Sequence, residues 1–585
     1  MPFHPPSWVP KLPFDVPDNV SIDQFMLGGD HGRLPFESSR NPFTCGLTGK
    51  TYTISEVKHR VDALSRALSR DLHVGVHEGT EYDKVIGLFC INTIDTMTLA
   101  WATHRLGGIQ TPANSQYSQS ELEYQLKDSG AKCLFTCLPL LETAKAACKK
   151  VGIPEERIYL LPVPDVLSSG LSGNGFKTID DLISEGSQLE ALPVQKWSNG
   201  EGAKRTAFLC YSSGTSGLPK GVMISHRNVI ANTMQLTTFD TFWRDSHMPP
   251  DSKVFTAVVL GLLPMSHIYA LIAVCHVSVY RGDGVIVLPK FEMSSYLESI
   301  QRFKIEHLYL VPPIILMMAK SGKTLEKYDL SSVQLLFFGA APAGEGTIQE
   351  LQEMYPKWAM RQAYGLTETS CVVTSTSESD VWFGSCGSII PGIECRLVTV
   401  DGKEVTGYDE PGELWVKSPA GTIGYLHNEK STRETFLDDG YVRTGDEAVF
   451  RKHPKSGIEH MFITDRIKEL IKVKGLQVAP AELEAHILTH PSVGDCVVIG
   501  VPSEREGEVP KAFVVKSSSI GIEESNAALK RGIARHVEKH LARHKWLKGG
   551  IEFIDVVPKS PSGKILRRLI RDKEKEKRRA QGAKL

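Results

Sequence analysis

The chain has 585 residues, and 67 Lys and Arg residues nearly balance 68 Asp and Glu residues, giving a formal net charge of −1. At roughly 100–200 residues per domain, this length excludes a single small domain. The apolar fraction of 41% and the charged fraction of 23% are typical of a soluble globular protein and exclude a disordered chain. The balanced charge gives no reason to expect nucleic acid as a partner.

Helix and strand signals alternate from about residue 50 onward. Thr53 with Glu56, and Ser118 with Glu121, have the spacing of capping boxes, in which a hydroxyl and a carboxylate satisfy the first amides of a helix. Buried strands are predicted at 85–91, 132–136 and 207–211. This alternation over several hundred residues predicts layered α/β structure with mostly parallel sheets.

Two longer stretches interrupt the alternation. Residues 163–203 are rich in Ser, Gly and Pro and are predicted to be a surface loop. Residues 254–280 contain no Asp, Glu, Lys or Arg and are long enough to span a bilayer, but Pro264, His267 and His276 interrupt them. We therefore predict a buried strand, a turn and a buried helix there, and no transmembrane segment.

The most informative motif lies at 211–221, where an apolar strand runs into Tyr-Ser-Ser-Gly-Thr-Ser-Gly-Leu-Pro-Lys-Gly. Glycines let backbone amides approach an anion, hydroxyls add donors, and Lys220 adds positive charge. An ordinary turn would explain the glycines, but not the hydroxyls, proline and lysine directly after a strand. Two segments, ending at 49–51 and 322–324, resemble the end of a Walker loop. The position of its first glycine is occupied by Thr44 in one and by Met317 in the other. The loop therefore predicts a phosphate site of another class.

Seven further motifs follow along the chain. They are Leu-Pro-Met-Ser-His-Ile-Tyr at 263–269, Phe-Gly-Ala-Ala-Pro at 338–342, Gln-Ala-Tyr-Gly-Leu-Thr-Glu at 362–368, Gly-Glu-Leu at 412–414, Tyr-Val-Arg-Thr-Gly-Asp at 441–446, Asp-Arg-Ile-Lys-Glu-Leu-Ile-Lys-Val-Lys-Gly at 465–475, and Pro-Lys-Ser-Pro-Ser-Gly-Lys at 558–564. With the loop at 211–221, this series resembles the adenylate-forming superfamily, which includes acyl-CoA synthetases, 4-coumarate–CoA ligases, beetle luciferases and peptide-synthetase adenylation domains. The resemblance covers about residues 50–570.

The resemblance implies an α/β fold in two parts. A large N-terminal domain would consist of layered α/β subdomains with a β-barrel-like part, and a small mobile α+β domain would follow it. We expect a lead-in at 1–50, an AMP-binding adenylation domain at 51–464, and a C-terminal lid domain at 465–585 with a hinge near Lys468. In the family this small domain turns about the hinge and replaces one lysine-bearing face with another.

The resemblance also implies the chemistry. A carboxylic acid would attack ATP to give an acyl-adenylate and pyrophosphate, and coenzyme A would then displace AMP. Thr367 would contact the α-phosphate, Glu368 would hold Mg²⁺, Asp446 would accept the ribose hydroxyls with Arg466 assisting, and Lys564 would bridge the acid and the phosphate. Taken alone, each of these is equally an ordinary turn or surface residue. The residues assigned to ATP or AMP are Ser212, Ser213, Gly214, Thr215, Ser216, Gly217, Leu218, Pro219, Lys220, Gly339, Ala340, Ala341, Tyr364, Gly365, Thr367, Asp446, Arg466 and Lys564.

Other residues would serve the second step and the acid. Lys472 and His267 are also assigned as catalytic residues. Lys472 would lie on the second lysine-bearing face, and His267 would lie between the acyl pocket and the tunnel for the pantetheine arm of coenzyme A. The residues expected to contact coenzyme A are Lys474, Gly475 and Gln477, and those expected to line the acyl pocket are His267, Tyr269, Lys320, Gly339, Ala363 and Val372. Ala363 stands where 4-coumarate ligases commonly have glycine, so the choice between an aromatic and a medium-chain acid stays open.

The last residues indicate a location, and two other functions stay open. Ala583-Lys584-Leu585 resembles the Ser-Lys-Leu peroxisomal address. The basic stretch before it is predicted to be a solvated helical tail that exposes this address rather than a nucleic-acid patch. One alternative is an adenylation enzyme that loads a carrier protein, or a luciferase-like oxygenase. The other is a nucleotide-sensing pseudo-ligase, which is expected to lose Lys564, Glu368 or Asp446. We predict a peroxisomal acid–CoA ligase whose residues Ala583-Lys584-Leu585 are bound by the peroxisomal import receptor.

Overall fold

The computed structural model describes residues 2–212, 219–341, 345–474, 476–503, 505–517, 525–560 and 563–582. Its strands in chain order are β1 Phe43–Cys45, β2 Thr51–Tyr52, β3 Val85–Phe89, β4 Ile109–Ala113, β5 Cys133–Thr136, β6 Ile158–Leu160, β7 Thr206–Ser212, β8 Lys220–Ser225, β9 Val258–Gly261, β10 Gly284–Val287, β11 His307–Leu310, β12 Leu335–Phe338, β13 Ala359–Leu366, β14 Cys371–Ser375, β15 Ser388–Ile389, β16 Glu394–Val398, β17 Glu404–Val405, β18 Gly412–Lys417, β19 Gly424–Tyr425, β20 Val442–Lys452, β21 Glu459–Arg466, β22 Ile471–Val473, β23 Leu476–Val478, β24 Val493–Ser503, β25 Gly507–Lys516 and β26 Ile551–Phe553.

The α-helices lie between and over these strands. They are α1 Ile22–Leu27, α2 Ile54–Leu72, α3 Thr96–Arg105, α4 Gln119–Ser129, α5 Leu141–Val151, α6 Asp165–Ser168, α7 Ile179–Gly186, α8 Glu201–Lys204, α9 His226–Phe239, α10 Thr241–Ser246, α11 Val277–Tyr280, α12 Met293–Phe303, α13 Pro312–Ala319, α14 Gly322–Leu325, α15 Glu345–Met354, α16 Glu429–Thr435, α17 Pro480–Leu488, α18 Asn526–His540 and α19 Arg567–Gly582. A π-helical segment, Ala270–His276, leads into α11.

Two large sheets form the N-terminal part. One has the order β19-β8-β7-β4-β3-β5-β6, and the other has the order β15-β14-β13-β12-β11-β9-β10-β1-β2. Strands β3 to β7 run parallel in the first sheet, and β1 and β9 to β13 run parallel in the second. Helices between successive parallel strands supply the required crossovers. The predicted α/β class with mostly parallel sheets is confirmed.

Local sequence signals explain several helix starts. Thr53 accepts a hydrogen bond from the Glu56 amide, and the Glu56 carboxylate accepts one from the Thr53 amide at 2.7 Å, so α2 begins at the predicted capping box. Ser118 and Glu121 form the same reciprocal pair at the start of α4. Each capping box satisfies two amides that would otherwise have no partner.

The uncharged stretch 254–280 folds as predicted. It forms β9, a turn and a buried helix. Asn92 fixes the turn, because its side-chain amide donates to the backbone oxygens of Leu262 and Leu263 at 3.1 and 2.9 Å. Among the described residues, no helix is both long and apolar enough to cross a membrane.

The prediction of a surface loop at 163–203 is partly wrong. Helices α6 and α7 lie within this segment, and α8 begins in it. Helix α7 begins where the Thr178 side chain accepts from the Asp181 amide. It then buries Ile179 and Leu182 completely in the main core. The polar composition of the surrounding residues therefore conceals a short amphipathic helix whose burial decides its structure.

The third sheet and the small C-terminal sheet complete the fold. The order β17-β16-β18-β20-β21 is antiparallel throughout and stands where the β-barrel-like part is expected. The small sheet has the order β23-β22-β25-β24, with β26 beside β25, and packs with α17 and α18. The main core extends in sequence as far as Met461, whereas the core of the small domain begins at Ile471. The predicted hinge residue Lys468 falls between these two cores. The predicted boundary at 465 lies inside the end of β21, because Asp465 and Arg466 still pair with β20.

Candidate active site

A cavity of about 460 Å³ lies where the N-terminal sheets meet the small domain. It collects side chains that are hundreds of residues apart in sequence. The predicted site residues that line it are Ser212, Lys220, His267, Tyr269, Gly339, Ala340, Ala363, Tyr364, Gly365, Thr367, Glu368, Val372, Asp446, Arg466, Lys468 and Lys564. The cavity therefore joins the predicted ATP and acyl residues in one space.

One end of the cavity carries a lysine and a carboxylate. Strand β7 ends at Ser212 and β8 begins at Lys220, and these two residues are register partners. The Ser212 hydroxyl donates to Oε1 of Glu368 at 3.2 Å, and the Tyr425 hydroxyl donates to the same oxygen at 2.9 Å. Lys220 Nζ lies 4.7 Å from the centre of the Tyr425 ring, a cation–π contact. Tyr425 thus positions both charged groups.

A glycine brings Glu368 into this position. At Gly365, a Cβ atom would lie 1.5 Å from the backbone oxygen of Cys371, so no other residue fits between β13 and β14 there. The short turn Thr367–Thr369 follows immediately, and the amide of Thr422 donates to the Glu368 backbone oxygen at 3.0 Å. The tight strand pair therefore fixes the backbone that carries Thr367 and Glu368.

Asp446 forms a second anionic point. Its carboxylate accepts a hydrogen bond from the Tyr364 hydroxyl at 2.6 Å and lies 3.4 Å from Nε of Arg466. Asp446 and Arg466 are register partners on β20 and β21, so the sheet itself holds the pair together. Burial raises the pKa of Asp446, and Arg466 opposes that rise. Burial and the neighbouring Asp446 raise the pKa of Tyr364 well above 10, so its hydroxyl stays a donor.

Lys564 enters the cavity from the small domain. Gly563 before it has φ +79°, and a Cβ atom there would meet Pro313 at 3.0 Å, so the turn packs directly on α13. The Lys564 amide donates to Ser560 Oγ at 3.1 Å. Burial is the largest influence on the ammonium group and, with Arg466, lowers its pKa to about 8. Glu368 and Asp446 favour the charged form and offset part of that loss.

The other end of the cavity is uncharged at neutral pH. The Tyr269 hydroxyl donates to the Phe337 backbone oxygen at 3.0 Å, which turns its ring into the wall. Burial, followed by the nearby Lys564 charge, lowers the pKa of His267 to about 4, so this imidazole is neutral. The side chains at this end are His267, Ile268, Tyr269, Phe337, Cys371 and Val372.

The structure does not bring every predicted residue to this cavity. Lys320 is exposed at the end of α13, with Nζ 3.5 Å from the Gly494 backbone oxygen, and its assignment to the acyl pocket is corrected. It points away because α13 turns Ile315 and Met318 toward the core. Ala341 lies beside the cavity, in a second space of about 280 Å³. Pro219 also lies outside the lining, and its backbone oxygen accepts a hydrogen bond from Tyr124.

The residues predicted for the second step lie on the surface of the small domain. Lys472 and Gln477 are exposed register partners on β22 and β23. Lys474 has φ +51° and lies 3.5 Å from Glu506, away from the cavity lining. Three groups of predicted residues lie outside the described part of the chain: residues 213–218 of the loop, Gly475, and residues 583–585.

Sequence reasoning missed several lining residues. Glu413 and Arg443 belong to the motifs at 412–414 and 441–446, which assign them no role. Their side chains form an ion pair of 2.6 Å at the cavity. Tyr425 lies outside all of these motifs, so the sequence gives no indication of its role. It reaches Glu368 only because β19 pairs with β8 at the edge of the seven-stranded sheet, a contact between positions about 200 residues apart.

A layered α/β domain whose cavity receives a lysine from a small α+β domain has the architecture of an adenylate-forming enzyme. The family model of AMP-binding enzymes matches residues 39–426, and the model of their C-terminal domain matches residues 482–564. The chain belongs to the AMP-binding enzyme family, and the predicted superfamily is confirmed.

Individual relatives extend over nearly the whole chain. An acyl-CoA ligase of Emericella nidulans is 39% identical over 97% of this chain and 99% of its own length. An acyl-CoA ligase of Cordyceps militaris is 38% identical over 98% of this chain and 90% of its own length. The anthranilate CoA ligase AuaEII, solved with anthranoyl-AMP, superposes with a TM-score of 0.78 at 24% identity, covering 95% of this chain and 98% of that one. This last likeness shows the shared fold.

We expect Asp446→Ala to weaken AMP binding by roughly tenfold to a hundredfold, the usual range for losing a hydrogen bond to a charged group. Titration calorimetry with AMP measures the change. The matched control is Asp439→Ala, because Asp439 pairs with Arg396 on the surface. With 2′-deoxy-AMP the penalty of Asp446→Ala should shrink, since one partner of the carboxylate is already missing. Equal AMP affinity in both variants would contradict the assignment.

Proposed function

We propose that this chain is an ATP-dependent carboxylic acid–CoA ligase. It activates the acid as an acyl-adenylate with release of pyrophosphate, and then forms the acyl-CoA thioester with release of AMP. The observation that carries the proposal is the single cavity that joins Lys220, Glu368, Asp446 and Lys564 to the uncharged end at His267. Nearly full-length acyl-CoA ligase relatives support the choice of thiol acceptor.

Adenylation brings a carboxylate to a polyanion, so the protein must supply positive charge and fixed donors. Lys220 would meet the phosphates beyond the attacked α-phosphate, and Asp446 would hold the ribose. Lys564 shares the cavity with Glu368, Asp446 and the neutral His267 and interacts electrostatically with each of them. Its ammonium would there contact both the acid and the α-phosphate. The partly desolvated ammonium is strongly attracted to these anions because little water screens the interaction.

The carboxylate of Glu368 fits the Mg²⁺ that ATP chemistry requires. It is a hard oxygen donor, is half-buried, and is held from one side by Ser212 and Tyr425. A single protein carboxylate completed by substrate phosphates is a common magnesium arrangement. When bound there, the ion would neutralise charge on the phosphates during departure of pyrophosphate.

The second step needs a different face of the small domain. Lys472, Lys474 and Gln477 are exposed while Lys564 is in the cavity. A turn of the small domain near Lys468 would withdraw Lys564 and present Lys472, so that each half-reaction has its own lysine. If the small domain turns in this way, Lys472, Lys474 and Gln477 must lie outside the cavity during adenylation, as they do here.

The acid is proposed to be apolar, either aromatic or medium-chain. Its tail would lie among side chains that carry no charge at neutral pH, because the pKa values of Tyr269 and Cys371 are raised and that of His267 is lowered by burial. A second charged group on the substrate would therefore be left without a partner. A pseudo-ligase is disfavoured, because Lys564, Glu368 and Asp446 all line the cavity. Peroxisomal location through residues 583–585 is also proposed, on the sequence and on its suitability for CoA-ester chemistry.

Half-reaction assays on two lysine variants test the proposed function. First, a panel of aromatic and medium-chain acids is incubated with ATP, Mg²⁺ and coenzyme A while AMP and thioester are measured. We expect Lys564→Ala to lower adenylation by roughly 10²–10³-fold and to spare thioester formation from supplied acyl-adenylate. Lys472→Ala should do the reverse.

The control for these variants is Lys403→Ala, because Lys403 lies on an exposed turn paired with Asp401. It should leave both half-reactions unchanged. AMP release without any thioester would overturn the ligase assignment. Equal loss of both half-reactions in Lys564→Ala and Lys472→Ala would overturn the two-face mechanism while leaving adenylation itself in place.

The pH dependence of adenylation should report the Lys564 charge. Because the pKa of Lys564 is lowered to about 8, kcat/KM should fall as the pH rises through that value, where the free enzyme loses its ammonium. Lys564→Arg keeps its charge far above this range. Its rate is expected to be lower, but its basic limb should move to higher pH. The same basic limb in both proteins would contradict the assignment.

A further inference from the structure

Outside the active-site cavity, three histidines converge on the surface of the small domain. His486 lies on α17, and His536 and His540 lie on α18. One ring nitrogen from each can be chosen so that all three lie within 4.8 Å of one another. The catalytic residues discussed above are not part of this cluster.

Two packed helices hold the cluster in place. Leu483 and Ile487 of α17 and Ile533 and Val537 of α18 are buried together in the core of the small domain. The histidines lie at the edge of this core, because His486 precedes the buried Ile487 and His536 precedes the buried Val537. His536 and His540 are four residues apart, so they project from the same face of α18. The backbone positions of the three rings are therefore set by buried packing.

Hydrogen bonds to one backbone oxygen orient two of the rings. Nδ1–H of His540 and Nε2–H of His486 each donate to the backbone oxygen of His536, at 2.9 and 3.2 Å. In a neutral imidazole the second nitrogen then carries a lone pair, which is the arrangement of a metal-ligating histidine with an oriented outer partner. Nε2 of His536 contacts the Thr489 hydroxyl at 2.8 Å, which orients that ring as well.

Two of the rings are stacked on each other. The His486 and His536 rings lie with centres 4.5 Å apart and an interplanar angle of 11°. A metal ion lies in the plane of each imidazole that binds it, so one of these two rings must rotate out of the stack before both can bind one ion. The His486 and His536 side chains are only partly buried and His540 is exposed, which leaves room for that rotation.

We propose that His486, His536 and His540 form a site for a divalent transition-metal ion, preferably Zn²⁺. The bound ion would cross-link α17 and α18. Imidazole nitrogens suit zinc and disfavour Mg²⁺, which prefers oxygen ligands. The site is therefore chemically distinct from the proposed magnesium position at Glu368. Zn–N bonds of about 2.1 Å give nitrogen separations of about 3.4 Å in a tetrahedral site. Rotation of one stacked ring about its χ angles would bring the three nitrogens from within 4.8 Å of one another to this separation, and solvent would supply the fourth ligand.

Zinc titration of the full chain tests this proposal. Equilibrium competition with a chromophoric chelator should show one Zn²⁺ bound per chain at this site, in the presence of excess Mg²⁺. His536→Ala and His540→Ala should each lower the zinc affinity by roughly tenfold or more. The matched control is His544→Ala, in the short helix Arg543–Lys545 of the same domain, and it should bind zinc like the parent protein.

A spectroscopic measurement separates coordination from loose surface binding. Co²⁺ in place of Zn²⁺ should give the intense visible absorption of a four-coordinate site in the parent chain and in His544→Ala, and should lose it in His540→Ala. Circular dichroism of the metal-free proteins controls for folding, and exposed His540 keeps the test valid if His536→Ala fails to fold. Equal zinc affinity in His540→Ala and His544→Ala, or no zinc binding by the parent chain, would overturn the proposal.

Discussion

The burial of a single cation, the ammonium group of Lys564, is the constraint on which the active site depends. Removing that charge from water is unfavourable, and Arg466 repels it further. The carboxylates of Glu368 and Asp446 make the position tolerable, and they come from two different sheets of the N-terminal part. The fold therefore presents two carboxylates from one domain and inserts the cation that they favour from the other. Such a cation is well placed to meet anionic substrates.

A buried charge cluster ties the segment that carries Lys564 to the rest of the small domain. Arg567, three residues after Lys564, donates to Glu469 at 2.7 Å and to Glu484 at 2.6 Å. Glu469 follows the proposed hinge, and Glu484 lies on α17, so one guanidinium joins three segments of the domain. Removing one partner of a buried pair typically costs about 3–5 kcal/mol. Lys564 and the exposed Lys472 are thus expected to move with the small domain as one body.

The sequence allowed prediction where the determining contacts are local or where a motif is complete. The helix starts at Thr53 and Ser118 follow from side chains three residues apart, and Asp446 and Arg466 stood in motifs whose order carried the family resemblance. Tyr425 could not be predicted, because its contact with Glu368 depends on pairing between distant strands. The assignment of Lys320 to the acyl pocket is wrong for a related reason, because the orientation of α13 against the core decides where this lysine points.

The hidden helix α7 shows the converse limit. Its sequence neighbourhood is polar and rich in glycine, so composition favours a loop, yet burial of Ile179 and Leu182 stabilises a helix. Hydrophobic burial of a few side chains outweighs the average composition of a long segment. The shape of the acyl end of the cavity also depends on tertiary packing. The motifs and their order therefore do not predict which acid binds there.

Isotope transfer tests the central claim most directly, namely that one cavity brings an acid carboxylate to the α-phosphate of ATP. The most active acid of the panel is labelled with ¹⁸O in its carboxylate and incubated with ATP, Mg²⁺ and coenzyme A. If the carboxylate oxygen attacks the α-phosphate and the thiol then breaks the carbonyl C–O bond, mass spectrometry will find one ¹⁸O atom in AMP. Label in pyrophosphate or inorganic phosphate, or AMP without label, would contradict this account.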